Sequence, residues 1–345
     1  MLKVEIVLLT NNSVLPFQDL QTNYKLNFVD LNKLYATKLL AEHGLGFLIN
    51  IYDMDDLDDK WNPKLLKKII FDTGSRNLTY LHNLEVMGYN VEDANNIVLS
   101  HWHYDHTGGL LPILERIKKE IPVICHIDSK YERFFRRSNE IKDTDLNGKS
   151  KQEIEPLLSS NKIVLQEPAT LERIKELNGK MFYSKHAYEL FKHKDLKITV
   201  SGEITRNHEE EDFNNFFLLN NEKLQVDKIL DDKCLIFEFK DYILILNGCC
   251  HSGLMNTIDY VKGLTNKLIA YIIGGFHMEN ASEERFRATI RYLKSFQDDY
   301  KPLYMFPIHC SGERFVQEIN ASRIQNTRAF NCSVGSIFEF KTSNF

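Results

Sequence analysis

The chain has 345 residues, 43% of them hydrophobic and 26% charged, with a net charge of −5. That is ordinary globular composition, which excludes a disordered, collagen-like or coiled-coil chain, and the mild acidity offers no basic footprint for neutralising nucleic-acid phosphates. No apolar run approaches the ~18 residues that cross a bilayer, and six cysteines without a CxxC pair read as reduced thiols of a cytoplasmic protein.

In chain order, residues 2–10 alternate and predict a strand; Lys3 and Glu5 interrupt the apolar stretch and argue against a signal peptide. A polar loop follows, then a strand or strand pair within 39–52 and an acidic tip at 53–60. A strand over 67–74 ends in Asp72-Thr73-Gly74, a helix is predicted over 78–89 and a short buried strand over 95–100. Residues 110–120 have helical spacing, and 121–126 read as a strand. The composition turns polar over about 130–195, which predicts an insertion or lid over a single domain spanning 1–345. Strand 197–202, a hairpin over 233–248 turning at Lys240-Asp241, helix 252–263, strand 268–276, helix 282–296 and strand 303–308 complete the pattern.

The chemistry is concentrated in HWHYDHTGGL at 101–110. His101 and His103 leave a strand end close enough to aim at one point, and Asp105 with His106 at a second. Imidazole nitrogen and carboxylate oxygen suit borderline metals such as zinc, and paired sites at ~3.5–4 Å are a hydrolytic arrangement. A helix start at Thr107-Gly108 either offers backbone N–H groups to a substrate anion or is a plain helix cap.

This run resembles the HxHxDH signature of the metallo-β-lactamase superfamily. Ala41-Glu42-His43-Gly44-Leu45, SGEITR at 201–206, GCCHSGL at 248–254, GGFH at 274–277 and PIHCSGE at 307–313 follow in order. Together they resemble the subfamily labelled 7,8-dihydropterin-6-methyl-4-(β-D-ribofuranosyl)-aminobenzene-5′-phosphate synthase-like. The resemblance implies an α/β fold: a four-layer αββα sandwich of two mixed sheets, with a dinuclear site at one sheet edge. It also implies late ligands at strand ends, here His251 and His309, with His277 either a ligand or a general acid. No Gly-Asp dipeptide ends a late strand to supply the bridging carboxylate. Cys249 stands at such an end, either as a replacement ligand or as an inert buried thiol.

Arg206 is the candidate grip for a substrate anion, and Glu203 for orienting a histidine or touching a metal. Asp72 is expected to hold the motif turn in register, and Glu42 and His43 to lie near the cleft by resemblance. The expected function is that of a hydrolase with two divalent ions, zinc first and iron or manganese next. The ions lower the pKa of water from 15.7 to about 7 for attack on a small phosphorylated or ester-type substrate. Asp105 then doubles as ligand and proton acceptor. A di-iron redox protein on the same fold and a non-catalytic metabolite-binding protein are the alternatives. Neither nucleic acid nor membrane is expected as a partner, and the oligomeric state is left open.

Overall fold

The computed structural model describes residues 1–15, 28–29, 38–58, 60–75, 78–166, 170–211, 215–296, 302–322, 324 and 326–342. Most of the polar loop expected after Ser13 lies outside them. Two large sheets face each other. The first runs, in spatial order, 28–29, 337–341, 2–10, 46–57, 63–73, 96–98, 121–125 and 179–183. The second runs 188–193, 196–200, 234–238, 242–247, 268–274, 303–307 and 327–329. Each is antiparallel on one side and parallel on the other: 63–73, 96–98, 121–125 and 179–183 run together, as do 242–247, 268–274, 303–307 and 327–329.

Strand alternation explains the layers. Val4, Ile6 and Leu8 point between the sheets, where they meet Ile198, Leu244 and Phe306. Val7 and Leu9 point the other way, under helices Thr79–Val86 and Leu110–Ile117. Leu110, Ile113, Leu114 and Ile117 make the i, i+3, i+4, i+7 stripe that a covering helix requires. On the far side Ile243, Ile245 and Ile272 lie under helices Leu254–Leu264, Glu283–Phe296 and Glu313–Ala321. The expected αββα sandwich is therefore present. Because both faces of each sheet are covered, the central strands read as nearly unbroken apolar runs.

The region expected as an insertion, about 130–195, divides. Strands Glu132–Arg136 and Ile163–Gln166 pair with Phe216–Asn220 and Lys223–Val226 to form a separate four-stranded antiparallel sheet. Its own small core contains Phe134, Leu146, Ile154, Ile163, Phe217 and Leu224. Gly179–Tyr183 and Tyr188–His193, by contrast, are edge strands of the two large sheets. Their polar composition is what an edge strand carries, which is why they read as part of a lid. The expected acidic tip also shifts, since the strand Gly46–Leu57 runs through Asp53 and Asp55 before turning.

Arg133 ties the small sheet to the sandwich. It is buried, with Nη1 3.3 Å from Asp227 Oδ2 and Nη2 3.0 Å from Asp231 Oδ2. Asp231 also accepts the Trp102 backbone N–H at 2.7 Å, inside the 101–106 run. Arg133→Ala would leave two buried carboxylates without their cation, so it should cost about 3–5 kcal/mol, read as a lower urea midpoint.

No helix among the described residues is long and apolar enough to cross a membrane. All six cysteines are free thiols.

Candidate metal centre

The parallel halves of both sheets release their chains at one edge, and the chemistry-bearing residues leave there. Strand Asn96–Val98 leads to His101, Tyr242–Asn247 to Cys249 and His251, Leu268–Gly274 to His277, and Leu303–Pro307 to His309. Cys250, His277 and His309 hold φ values of +58°, +48° and +54°, left-handed conformations that bulky residues seldom adopt. Strain of this kind concentrates at functional turns.

Asp72, fully buried at the end of strand Pro63–Thr73, organises the motif turn. Its Oδ1 accepts the Ser100 backbone N–H at 2.7 Å; Oδ2 accepts the Ser100 hydroxyl at 2.7 Å and the His106 Nδ1–H at 2.6 Å. The Ser100 oxygen then accepts from His101 Nδ1 at 2.9 Å, and Asn12 Oδ1 accepts from His309 Nδ1 at 2.9 Å. This network assigns the proton of all three rings to Nδ1 and turns their Nε2 lone pairs inward.

The donors fall into two lobes around one sulfur, that of Cys249, which a third group also joins to His277 and Cys310. In the first, His101 Nε2 lies 3.0 Å from His103 Nδ1, and the His251 ring is 4.8 Å from that of His101 and 4.9 Å from that of His103. In the second, Asp105 Oδ2 lies 3.8 Å from His106 Nε2 and 3.3 Å from His309 Nε2. Cys249 Sγ is 3.0 Å from His106 Nε2. One donor atom each from Asp105, His106, Cys249 and His309 fall within 4.8 Å of one another, and so do those from His101, Cys249 and His251.

The electrostatics suit cations. Burial pushes His103 down to about 3 and, with neighbouring imidazoles, lowers His101 and His251, so these rings are neutral, as ligands must be. His106 goes the other way: burial opposes its charge, but the Asp72 and Asp105 carboxylates outweigh it and raise the ring to about 9. For Asp105 burial is likewise outweighed, by His106, His309 and His43, and its pKa is lowered. Imidazoles, a carboxylate and a thiol converging in a buried pocket fit divalent transition metals, with the His106 proton the one a cation must displace.

His43 stands at the mouth, its Nε2 3.3 Å from Asp105 Oδ2 and its ring 4.9 Å from that of His309. Glu42 does not enter the pocket; its Oε1 accepts the Ser75 backbone N–H at 3.0 Å. Three expectations are corrected. The Thr107-Gly108 turn offers no anion cradle: the Gly108 N–H is already spent on the Gly74 and Tyr104 carbonyls at 3.0 and 2.8 Å. The glycine is there for packing, since a Cβ would lie 1.4 Å from the Ser75 carbonyl oxygen. Arg206 donates to the Ile229 carbonyl at 3.1 Å beside Asp232 and Asp227, and is not part of the cavity wall. Glu203 orients a histidine, but it is His126, at 2.8 Å, outside the cluster. Sequence reasoning missed Asn11 and Asn12, which fix His309 through its backbone N–H (2.9 Å) and ring. Their position at the end of the first strand was the available signal.

Above the donors opens a cavity of about 1420 Å³, with Asp105, Cys249, His251, His277 and His309 in its lining. Phe135 and Phe216 of the small sheet line it too.

Comparison with known proteins agrees with this geometry. The Metallo-beta-lactamase superfamily model matches residues 67–173, which include the motif turn. A Methanocaldococcus jannaschii protein named 7,8-dihydropterin-6-methyl-4-(beta-D-ribofuranosyl)-aminobenzene-5'-phosphate synthase is 27% identical over 75% of this chain and 79% of its own length. An uncharacterized protein of the same organism is 29% identical over 82% of this chain and 89% of its own length. The crystal structure of Tm1679, a metal-dependent hydrolase of the beta-lactamase superfamily, superposes with a TM-score of 0.66 at 18% identity, covering 99% of this chain and 100% of that one.

Proposed function

The chain has the metallo-β-lactamase fold, and on that premise we propose that it is a metal-dependent hydrolase of a small phosphorylated or ester-type molecule, working with two divalent ions, zinc by preference. The observation that carries this is the two-lobed donor cluster around Cys249 at the base of a large cavity. His101, His103 and His251 would hold one ion; Asp105, His106 and His309 the other; the Cys249 sulfur would serve both. Such ions supply Lewis acidity and make water nucleophilic near neutral pH.

The chain's own residues supply the rest. Asp72, Ser100 and Asn12 fix which ring nitrogens face inward. Asp105, at the contact of both His43 and His309, is placed to accept a proton at Oδ2. His277, its ring 4.4 Å from that of His251 and its buried Nδ1 without a hydrogen-bond partner, is placed to give a proton to a leaving group. Phosphoesters are favoured because the Methanocaldococcus jannaschii relative is named as the synthase of a phosphorylated compound. The reading is of a protein acting on a small molecule in the cytoplasm, where its six free thiols stay reduced.

The test is elemental analysis of the purified chain, then a turnover screen over phosphodiester, phosphomonoester, lactone and thioester substrates. Two ions per chain with phosphoester turnover supports the reading. Full metal loading with no turnover of any class overturns it.

A further inference from the structure

The small sheet presents to the metal cavity a surface whose composition specifies a ligand. Phe216, Phe135 and Val164 are cross-strand neighbours in register, and all three line the cavity. The Phe216 ring stacks on His103 at 4.8 Å with 15° between planes, and meets Phe135 at 5.2 Å and 51°. An apolar aromatic corner therefore touches an imidazole of the donor cluster. Two polar groups flank it. Gln166, two residues beyond Val164, is 7% exposed, lines the cavity and has a buried Oε1 without a hydrogen-bond partner. Arg137, just past the end of strand Glu132–Arg136, is an exposed cavity-lining cation with no ion pair among the described residues.

We propose that this face recognises the non-reacting part of the substrate, and that this part is a flat aromatic group bearing a negative charge. The assignment rests on the hydrolase reading for which end of the molecule reacts. A planar ring fills the Phe135–Phe216 corner with favourable stacking, as a saturated ring of equal size does not. The unpartnered Gln166 Oε1 is an acceptor, so the ring edge that completes it must offer a hydrogen-bond donor. The forked guanidinium of Arg137 suits a carboxylate or phosphate. Because Phe216 lies against His103, an aromatic group seated there puts its attached ester beside the donors.

Binding to the full-length, zinc-loaded chain would be measured by calorimetry for phenyl phosphate, cyclohexyl phosphate and 4-carboxyphenyl phosphate. Phenyl phosphate should bind about tenfold more tightly than cyclohexyl phosphate, and the added carboxylate should gain a further ~3-fold. Phe135→Leu, which keeps an apolar side chain, should erase the first difference, and Arg137→Gln the second, each at unchanged zinc content. Equal affinity of the native chain for phenyl and cyclohexyl phosphate would overturn the proposal, as would both preferences surviving in the two variants. Because binding is read directly, absence of turnover refutes the hydrolase reading without touching this result. Turnover without aromatic preference refutes only the recognition surface.

Discussion

Cys249→Ala protein, loaded with cobalt, should lack a thiolate-to-metal charge-transfer absorption that the native chain shows, and should hold both of the proposed ions more weakly, one of them by at least ~100-fold. The donors of the two lobes are otherwise separate: His101 and His251 group with Cys249 on one side, Asp105, His106 and His309 on the other. Removing the shared atom therefore weakens both lobes at once, which no single imidazole substitution does. Burial raises the thiol well above its ordinary range in the metal-free chain, so binding must expel its proton. Native loading should release that proton into a weakly buffered solution, and the alanine variant should release one fewer. Cys249→Asp should recover much of the second ion, because a carboxylate supplies an anionic oxygen at the same place. A native cobalt form without sulfur absorption, together with unchanged metal content in Cys249→Ala, would make the thiol inert.

The motif at 101–106 was legible because its donors are local: one turn after one strand carries four of them. The late histidines were legible because each follows an apolar run that must be a buried strand, and parallel strands end at one edge. What failed to show was set by distant pairing. SGEITR reads like a binding loop, yet Ser201 Oγ accepts the Cys234 N–H at 3.0 Å, and a Cβ on Gly202 would lie 2.9 Å from the Lys185 carbonyl oxygen. The run is a close-packed crossing, and it carries Glu203 and Arg206 away from the cavity. The small sheet was invisible for a similar reason. Its strands come from 132–166 and 216–226, separated by three strands of the large sheets, and no local period announces that they pair. Asn11 and Asn12 looked like strand breakers because their partner, His309, lies 298 and 297 residues away.

Asp72→Asn separates the organising role of that carboxylate from its shape, and its effect should depend on pH in a defined direction. In the metal-free chain the His106 ring is raised to about 9, against ~6.5 in the unfolded chain. A raised folded value means that the stabilisation is fully present below pH ~6.5 and is lost as pH climbs toward 9. Its size is about 3 kcal/mol, from 1.36 kcal/mol per unit. The urea-unfolding gap between native and Asp72→Asn protein, both stripped of metal, should thus be widest near pH 6 and narrow by pH 9.5. Metal binding inverts the profile, because a cation at His106 Nε2 competes with the same proton. Native affinity for the ion proposed at Asp105, His106 and His309 should rise with pH up to about 9. The asparagine variant should reach its plateau at lower pH, yet bind ~10–100-fold more weakly there, since an amide orients the ring with less polarisation than a carboxylate. A stability gap that is flat or widens with pH would remove the Asp72–His106 pair as its cause. An affinity plateau unmoved in the variant would do the same for the metal site.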